Sequence, residues 1–411
     1  MATIYSIKPL LAVIVSLLLI PVLISSRTPN IREGWTFAIA IAKFLIVASM
    51  VPAVLLGNQI VFTVAEVIPG LAIRFKVDAL GILFALVASL LWIITSAYSI
   101  GYMRGLKEHS QTRYFCFFAL ALSATIGVAF SANLLTLYLF YEMLSFATYP
   151  LVTHHQDREA RSSGRKYLLY IVGTSIGLVL PAMLICYHLA GTLEFAPQGF
   201  LAGATSPRMT GVLLLMFIFG FAKAGIMPMH AWLPAAMVAP TPVSALLHAV
   251  AVVKVGVFSI VRVMTGVFGV DLLSGLHLGT IVCYIAGFTV IVASLMVAVV
   301  LDVFVQFETW ARGVLLAAWC VVSIAALLAL MVRPLRRTRT AESIARRFEH
   351  VFPELDSDLI NLVQLSREEG SASTLLRNSA LWQASKHAAS VPLESAASRL
   401  NWRDRFRLCM H

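Results

Sequence analysis

Charge is what this sequence has least of. Asp, Glu, Lys and Arg make up 12% of its 411 residues, about half the ~25% of an ordinary soluble chain. That deficit excludes a conventional water-soluble domain. Cysteine is sparse too: Cys116, Cys186, Cys283, Cys320 and Cys409 are scattered, with no Cys-x-x-Cys or Cys/His spacing. No disulfide framework, metal site, cofactor or redox centre is therefore expected. The net charge of +11 does not point to nucleic acid, because the basic residues sit in short loops between apolar runs or crowd beyond residue 332. That is the pattern of topology-setting loops.

What is abundant is hydrocarbon. The chain is 59% hydrophobic with a mean hydropathy of +0.87, and apolar runs of roughly 20 residues recur along it. This predicts an all-α polytopic membrane protein. About ten spanning helices are expected, near 8–26, 35–57, 78–102, 113–131, 132–153, 165–190, 209–231, 241–263, 275–300 and 312–332. The first run lacks a clean cleavage site and is read as a retained helix. The β-branched stretch 58–77 predicts an extended excursion outside the bilayer. Gly164, Gly191 and Gly211 are expected at helix ends, and Pro242 in a first helical turn.

Four regions follow: N-terminal helices over 1–110, a central unit over 111–263, further helices over 264–332, and a polar, basic tail over 333–411. With the N-terminus outside, Arg27 and Arg32, then Arg104, Lys107 and Arg113, then Arg158, Arg161, Arg165 and Lys166 fall in cytoplasmic loops. With ten helices, the cluster RPLRRTRTAESIARR (333–347) lands on the opposite side, so either the count is off by one or residues beyond about 300 follow different rules. The tail is expected to be an amphipathic segment or a basic surface anchor.

Ionisable groups inside spanning helices are costly and mark function. Glu142, Lys223, His248 and Lys254 qualify. Glu142 lies about ten residues into its helix. Lys223 precedes Pro228, which removes an intrahelical hydrogen bond and predicts a broken helix lined by protein or water. His248 and Lys254 on one continuous helix would lie about 120° apart around its axis, serving different neighbours or successive links of a chain. His230, beside Ala-Trp-Leu-Pro, is expected at a helix end as an accessory group.

The run FAKAGIMPMHAWLPAAMVAPTPVSALLHAVAVVKVGVFSIVRV (221–263) resembles the antiporter-like proton-translocating subunits. These occur in the membrane arm of respiratory complex I, in Mrp-type Na⁺/H⁺ antiporters and in membrane-bound hydrogenases. LYLFYEMLSFATYPLV and RFKVDALGILFALVASLLW are similar to the family's glutamate helix and third helix. The resemblance spans about residues 1 to 300. It implies one five-helix antiporter repeat (helices four to eight) with a broken helix seven. The family's second, inverted repeat is largely missing here, because no second broken helix with its own lysine or glutamate follows.

By the same resemblance, Glu142 pairs with Lys223 as modulating carboxylate and switching lysine, and His248 and Lys254 continue the relay. The expected function is a proton-translocating subunit of a multisubunit complex, either NADH:quinone oxidoreductase-like or Mrp-type. Its partners would be other membrane subunits, lipid, and protons or Na⁺ as the cation moved, without nucleic acid, in a bacterial or archaeal cell membrane. The alternative is a truncated or fused, non-conducting remnant that serves only as a structural subunit.

Overall fold

The computed structural model describes residues 3–68, 71–249, 251–305, 313–314, 317–322 and 324–325, with backbone alone at 68, 246–249 and 297–305. It divides into two compact units, Met1–Val297 and Ala298–His411. In the second, the described residues are the end of a long helix and short helical stretches; the expected helix at 312–332 is described only in part, and the tail 333–411 lies outside the described residues.

The first unit is a helical bundle with a small sheet at one end. β1 (Thr3–Tyr5) leads into α1 (Lys8–Ser25), α2 (Pro29–Ala48) and α3 (Val51–Leu55). The 58–77 stretch is extended, as β2 (Gln59–Ile68) and β3 (Leu71–Val77). β1 pairs parallel with β2, Thr3 opposite Gln59, and β2 pairs antiparallel with β3, Ile60 opposite Val77.

α4 (Ala79–Gly105), α5 (Gln111–Ala129) and α6 (Leu134–Val152) follow. α5 is buried on almost every face, from Tyr114 to Ala129, which makes it the axis of the unit; a helix apolar all round must be enclosed. α1, α4 and α6 pack against it. α2 and α4 turn Leu45, Leu83 and Ile94 outward, the surface a bilayer would cover. Among the described residues six helices are long and apolar enough to cross a membrane: Lys8–Ser25, Pro29–Leu55, Ala79–Gly105, Gln111–Ala129, Arg158–Ala190 and Leu278–Met296. The chain is a multi-pass membrane protein.

The remaining helices are interrupted. α7 (Arg158–Thr174) passes through a π-helical turn, Ser175–Val179, into α8 (Leu180–Ala190). α9 (Pro207–Gly220) ends early and is followed by the short α10 (Trp232–Ala235). The helix expected as one piece over 241–263 is two, α11 (Thr241–Ala249) and α12 (Val252–Val263). The 120° angle between His248 and Lys254 therefore does not apply, because it required a continuous axis. α13 (Val270–Gly275) and α14 (Leu278–Val305) complete the order. Of the three glycines expected at helix ends, Gly191 caps α8 in the left-handed region at φ 68°, whereas Gly164 and Gly211 lie inside α7 and α9. At Gly164 a side chain would meet the Tyr149 ring at 3.0 Å, so the residue is there for close packing and not for a turn.

One ion pair ties the sheet end of the bundle to α12. Asp78 caps α4 by accepting the Gly81 N–H at 2.8 Å, and Arg262 grips both of its carboxylate oxygens. Burial pushes the Asp78 carboxyl up, but the Arg262 guanidinium, the Gly81 N–H and Lys76 outweigh it and hold it below its ordinary value. The folded value lies below the unfolded one, so this stabilisation is full above about pH 4 and is lost as pH falls through the folded value. Arg262→Ala would strand a mostly buried carboxylate. It is expected to cost about 3 kcal/mol, the low end for a broken buried pair, since the Asp78 side chain keeps 22% exposure. A lowered unfolding midpoint in detergent, partly recovered on adding Asp78→Asn, checks it.

Candidate functional site

α6 presents Tyr141, Glu142 and Ser145 in sequence. Ser145 lies four residues after Tyr141, so the two share a face about 40° apart, while Glu142 is rotated about 100° from Tyr141. The Tyr141–Ser145 face meets the break after α9. That helix stops at Gly220, well before Pro228: Phe221 leaves helical geometry, Ala222–Ala224 form a single 3₁₀ turn, and Gly225 adopts φ 71°. Pro228 lies further along the irregular stretch and is exposed.

A broken helix at membrane depth leaves backbone groups that must be satisfied by protein. Here side chains supply the partners. The Gly220 carbonyl accepts from Thr174 Oγ1 at 3.2 Å and the Ala222 carbonyl from the Trp232 indole at 2.8 Å. The Lys223 N–H donates to the Tyr141 hydroxyl at 3.3 Å. Gly256 of α12 lies directly against the turn: a Cβ there would sit 2.5 Å from the Lys223 carbonyl carbon and 2.8 Å from Ala224 Cα.

Lys223 is thus fully buried. Its Nζ donates to the Tyr141 carbonyl and to Ser145 Oγ, both at 2.7 Å, and stands 3.2 Å from the centroid of the Tyr141 ring. All three partners are neutral. Glu142 faces elsewhere: its Oε1 accepts from the Ser175 hydroxyl, while Oε2 is buried and has no hydrogen-bond partner among the described residues. Ser175 opens the π-helical turn, a kind of irregularity common at functional sites. No ion pair joins the Glu142 carboxylate to Lys223 among the described residues. The reason is geometric, since Nζ lies on the Tyr141–Ser145 face and the carboxylate is turned toward α7. Further along α6, Thr148 Oγ1 and the Tyr167 hydroxyl share a buried hydrogen bond of 2.6 Å.

Among the described residues neither Lys254 nor His230 bonds to these groups. Lys254 is exposed on α12 and has no hydrogen bond or ion pair among the described residues. The His248 backbone belongs to α11, and its side chain lies outside the described residues. His230 precedes α10, with a buried Nδ1 that has no partner among the described residues.

Lys43 is a buried lysine that belongs with the four groups singled out from the sequence. Set in the apolar run AIAKFLI of α2, it is fully buried, donates to Ser16 Oγ at 2.8 Å and the Leu122 carbonyl at 3.0 Å, and lies 5.1 Å from the Trp92 ring centroid. Tyr141, Ser145 and Ser175 carried no such signal, because hydroxyls are ordinary in apolar helices.

Residues 131–304 match the family profile described as NADH:quinone oxidoreductase/Mrp antiporter, transmembrane. The chain is 32% identical over 247 residues to the Na(+)/H(+) antiporter subunit A1 of Staphylococcus aureus, covering 58% of this chain and 30% of that protein. The same protein of strain bovine RF122 / ET3-1 matches to the same extent. The chain thus spans about a third of the length of these relatives. Among solved structures, an archaeal respiratory membrane complex, the membrane-bound sulfane sulfur reductase, aligns with a TM-score of 0.63 at 21% identity, over 94% of this chain and 79% of that one. The Mrp complex from Dietzia sp. DQ12-45-1b aligns at 0.54 and 21%, over 65% and 29%. At these identities the two structures speak to the fold alone. The profile match covers the segment that carries Glu142 and Lys223, and over this region the chain is similar to antiporter-like membrane subunits.

Proposed function

We propose that this protein is a proton-translocating subunit of a larger membrane complex, in which Lys223 takes up and releases a proton under the control of Glu142. The observation that carries this is the burial of Lys223 in a helix break with only neutral acceptors around Nζ, while the Glu142 carboxylate stands on the neighbouring turn of α6, turned away. A carboxylate beside a buried amine favours its charged form and desolvation favours the neutral one. Rotation of Glu142 between Ser175 and Lys223 would switch the lysine between holding and releasing its proton. Carrying one charge through about 100 mV needs about 2.3 kcal/mol, which sets the scale on which such a switch acts.

His248 and Lys254 are proposed as later links. The driving reaction belongs to partner subunits, either cation exchange, as the name of the S. aureus relative suggests, or a quinone- or hydrogenase-linked redox step. Sealed vesicles from cells expressing the chain with its genomic neighbours provide the test. Lys223→Ala is expected to abolish proton flux at unchanged membrane content. Equal flux in the variant would remove Lys223 from the path.

A second reading, a non-conducting structural subunit, is favoured by one observation: Lys254 stands exposed and unpartnered among the described residues. Absence of flux in both proteins, with the partner subunits confirmed in the membrane, would support it.

A further inference from the structure

At the end of the bundle opposite the sheet, two adjacent pairs meet: Glu108-His109 in the loop between α4 and α5, and His154-His155 just after α6. Three imidazole nitrogens converge on one carboxylate oxygen. His109 Nδ1 and His154 Nε2 each lie 3.8 Å from Glu108 Oε2, and His155 Nδ1 lies 3.9 Å from it. One ligand atom each from Glu108, His109 and His154 falls within a 4.8 Å span. His154 is the second, independent observation: its side chain is fully enclosed, and neither ring nitrogen has a hydrogen-bond partner among the described residues. Buried polar groups normally find partners. The neighbouring cation does not supply one, since Arg113 Nη2 donates to the His154 carbonyl at 2.8 Å.

We propose that Glu108, His109 and His154, with His155 as a fourth ligand, bind a divalent late-transition cation of the Zn²⁺ type. Imidazoles with a carboxylate suit such ions, whereas Mg²⁺ and Ca²⁺ prefer all-oxygen sets. Bonds of about 2.0–2.2 Å in a tetrahedron put ligand atoms about 3.3–3.6 Å apart; the nitrogens need close on Glu108 by only a few tenths of an ångström, while the three ligand atoms, now within 4.8 Å of one another, must draw together by as much as about 1.5 Å. Gln111 Nε2, bonded to the Met103 and Glu108 carbonyls at 3.0 and 3.1 Å, already holds the loop in place. The ion would tie this loop to the end of α6, about 10 Å along the helix from Ser145, and is separate from the lysine site.

The test uses the purified, metal-stripped 411-residue chain titrated with Zn²⁺ by calorimetry, with Co²⁺ absorption reporting tetrahedral nitrogen and oxygen ligation. One ion per chain is expected, with affinity at least tenfold weaker in His154→Asn and weaker also in His109→Gln. The second change lies on the surface and keeps the test valid if the first fails to fold. His188→Asn on the exposed end of α8 should bind as wild type does. Absence of binding by the wild type would overturn the proposal. So would undiminished affinity in both variants, which would move the ion to other groups such as His350, His387 or His411.

Discussion

Lys223→Arg is expected to stop proton movement as fully as Lys223→Ala, by roughly 10²-fold or more, the scale on which a positioned proton-transfer group acts. The two substitutions fail for opposite reasons. Alanine removes the carrier. Arginine keeps a cation able to bond the Tyr141 carbonyl and Ser145 Oγ, but a guanidinium does not give up its proton in a protein. If Lys223 served only to place a positive charge beside α6, arginine would retain flux and alanine would lose it. Glu142→Gln is the companion variant. Its amide oxygen still accepts from Ser175, so the contact with the π-helical turn survives while the charge is gone. Flux is then expected to fall by about tenfold, about 1.4 kcal/mol, because the lysine remains but the bias on it does not. Quenching of a pH-sensitive dye in sealed vesicles, normalised to membrane content, reads all three.

These groups were legible because a charge in an apolar run has few bland explanations. Glu142 and Lys223 declare themselves one residue at a time, and the same criterion marks Lys43. The contacts that define the site do not. Tyr141, Ser145 and Ser175 matter through helix rotation and through a π-helical turn whose sequence, SIGLV, looks like any spanning helix. Proline locates the α9 break only approximately. The chain leaves the helix at Phe221 and turns at Gly225, because Thr174, Trp232 and Tyr141 satisfy the freed backbone there. The division between α11 and α12 has no proline inside it at all. The His and Glu cluster escaped Cys/His spacing rules because its two halves lie on different loops, each pair unremarkable alone. Bilayer-crossing architecture is thus written in composition, whereas site geometry is written in which helix faces meet.

Gly256 tests that last point most sharply. Replacing an exposed helix glycine by alanine ordinarily stabilises, by about 0.5–1 kcal/mol. Gly101→Ala in α4, where a Cβ meets nothing within 4 Å, should therefore leave flux unchanged. At Gly256 the added carbon would lie 2.5 Å from the Lys223 carbonyl carbon and 2.8 Å from Ala224 Cα, against about 3.5–4.0 Å for an ordinary contact. Either α12 or the lysine turn must move by about 1 Å. The turn is fixed through its Trp232 and Tyr141 hydrogen bonds, so displacement reaches Nζ and its two acceptors on α6. Misplacement by about 1 Å costs a reacting group roughly 10²-fold. Gly256→Val is expected to approach the Lys223→Ala phenotype, and Gly256→Ala to fall between it and wild type, with every charged group still present. Wild-type flux in Gly256→Val would mean that the position of Lys223 relative to α6 does not govern transport, and the role assigned to the Tyr141–Ser145 face would fall with it.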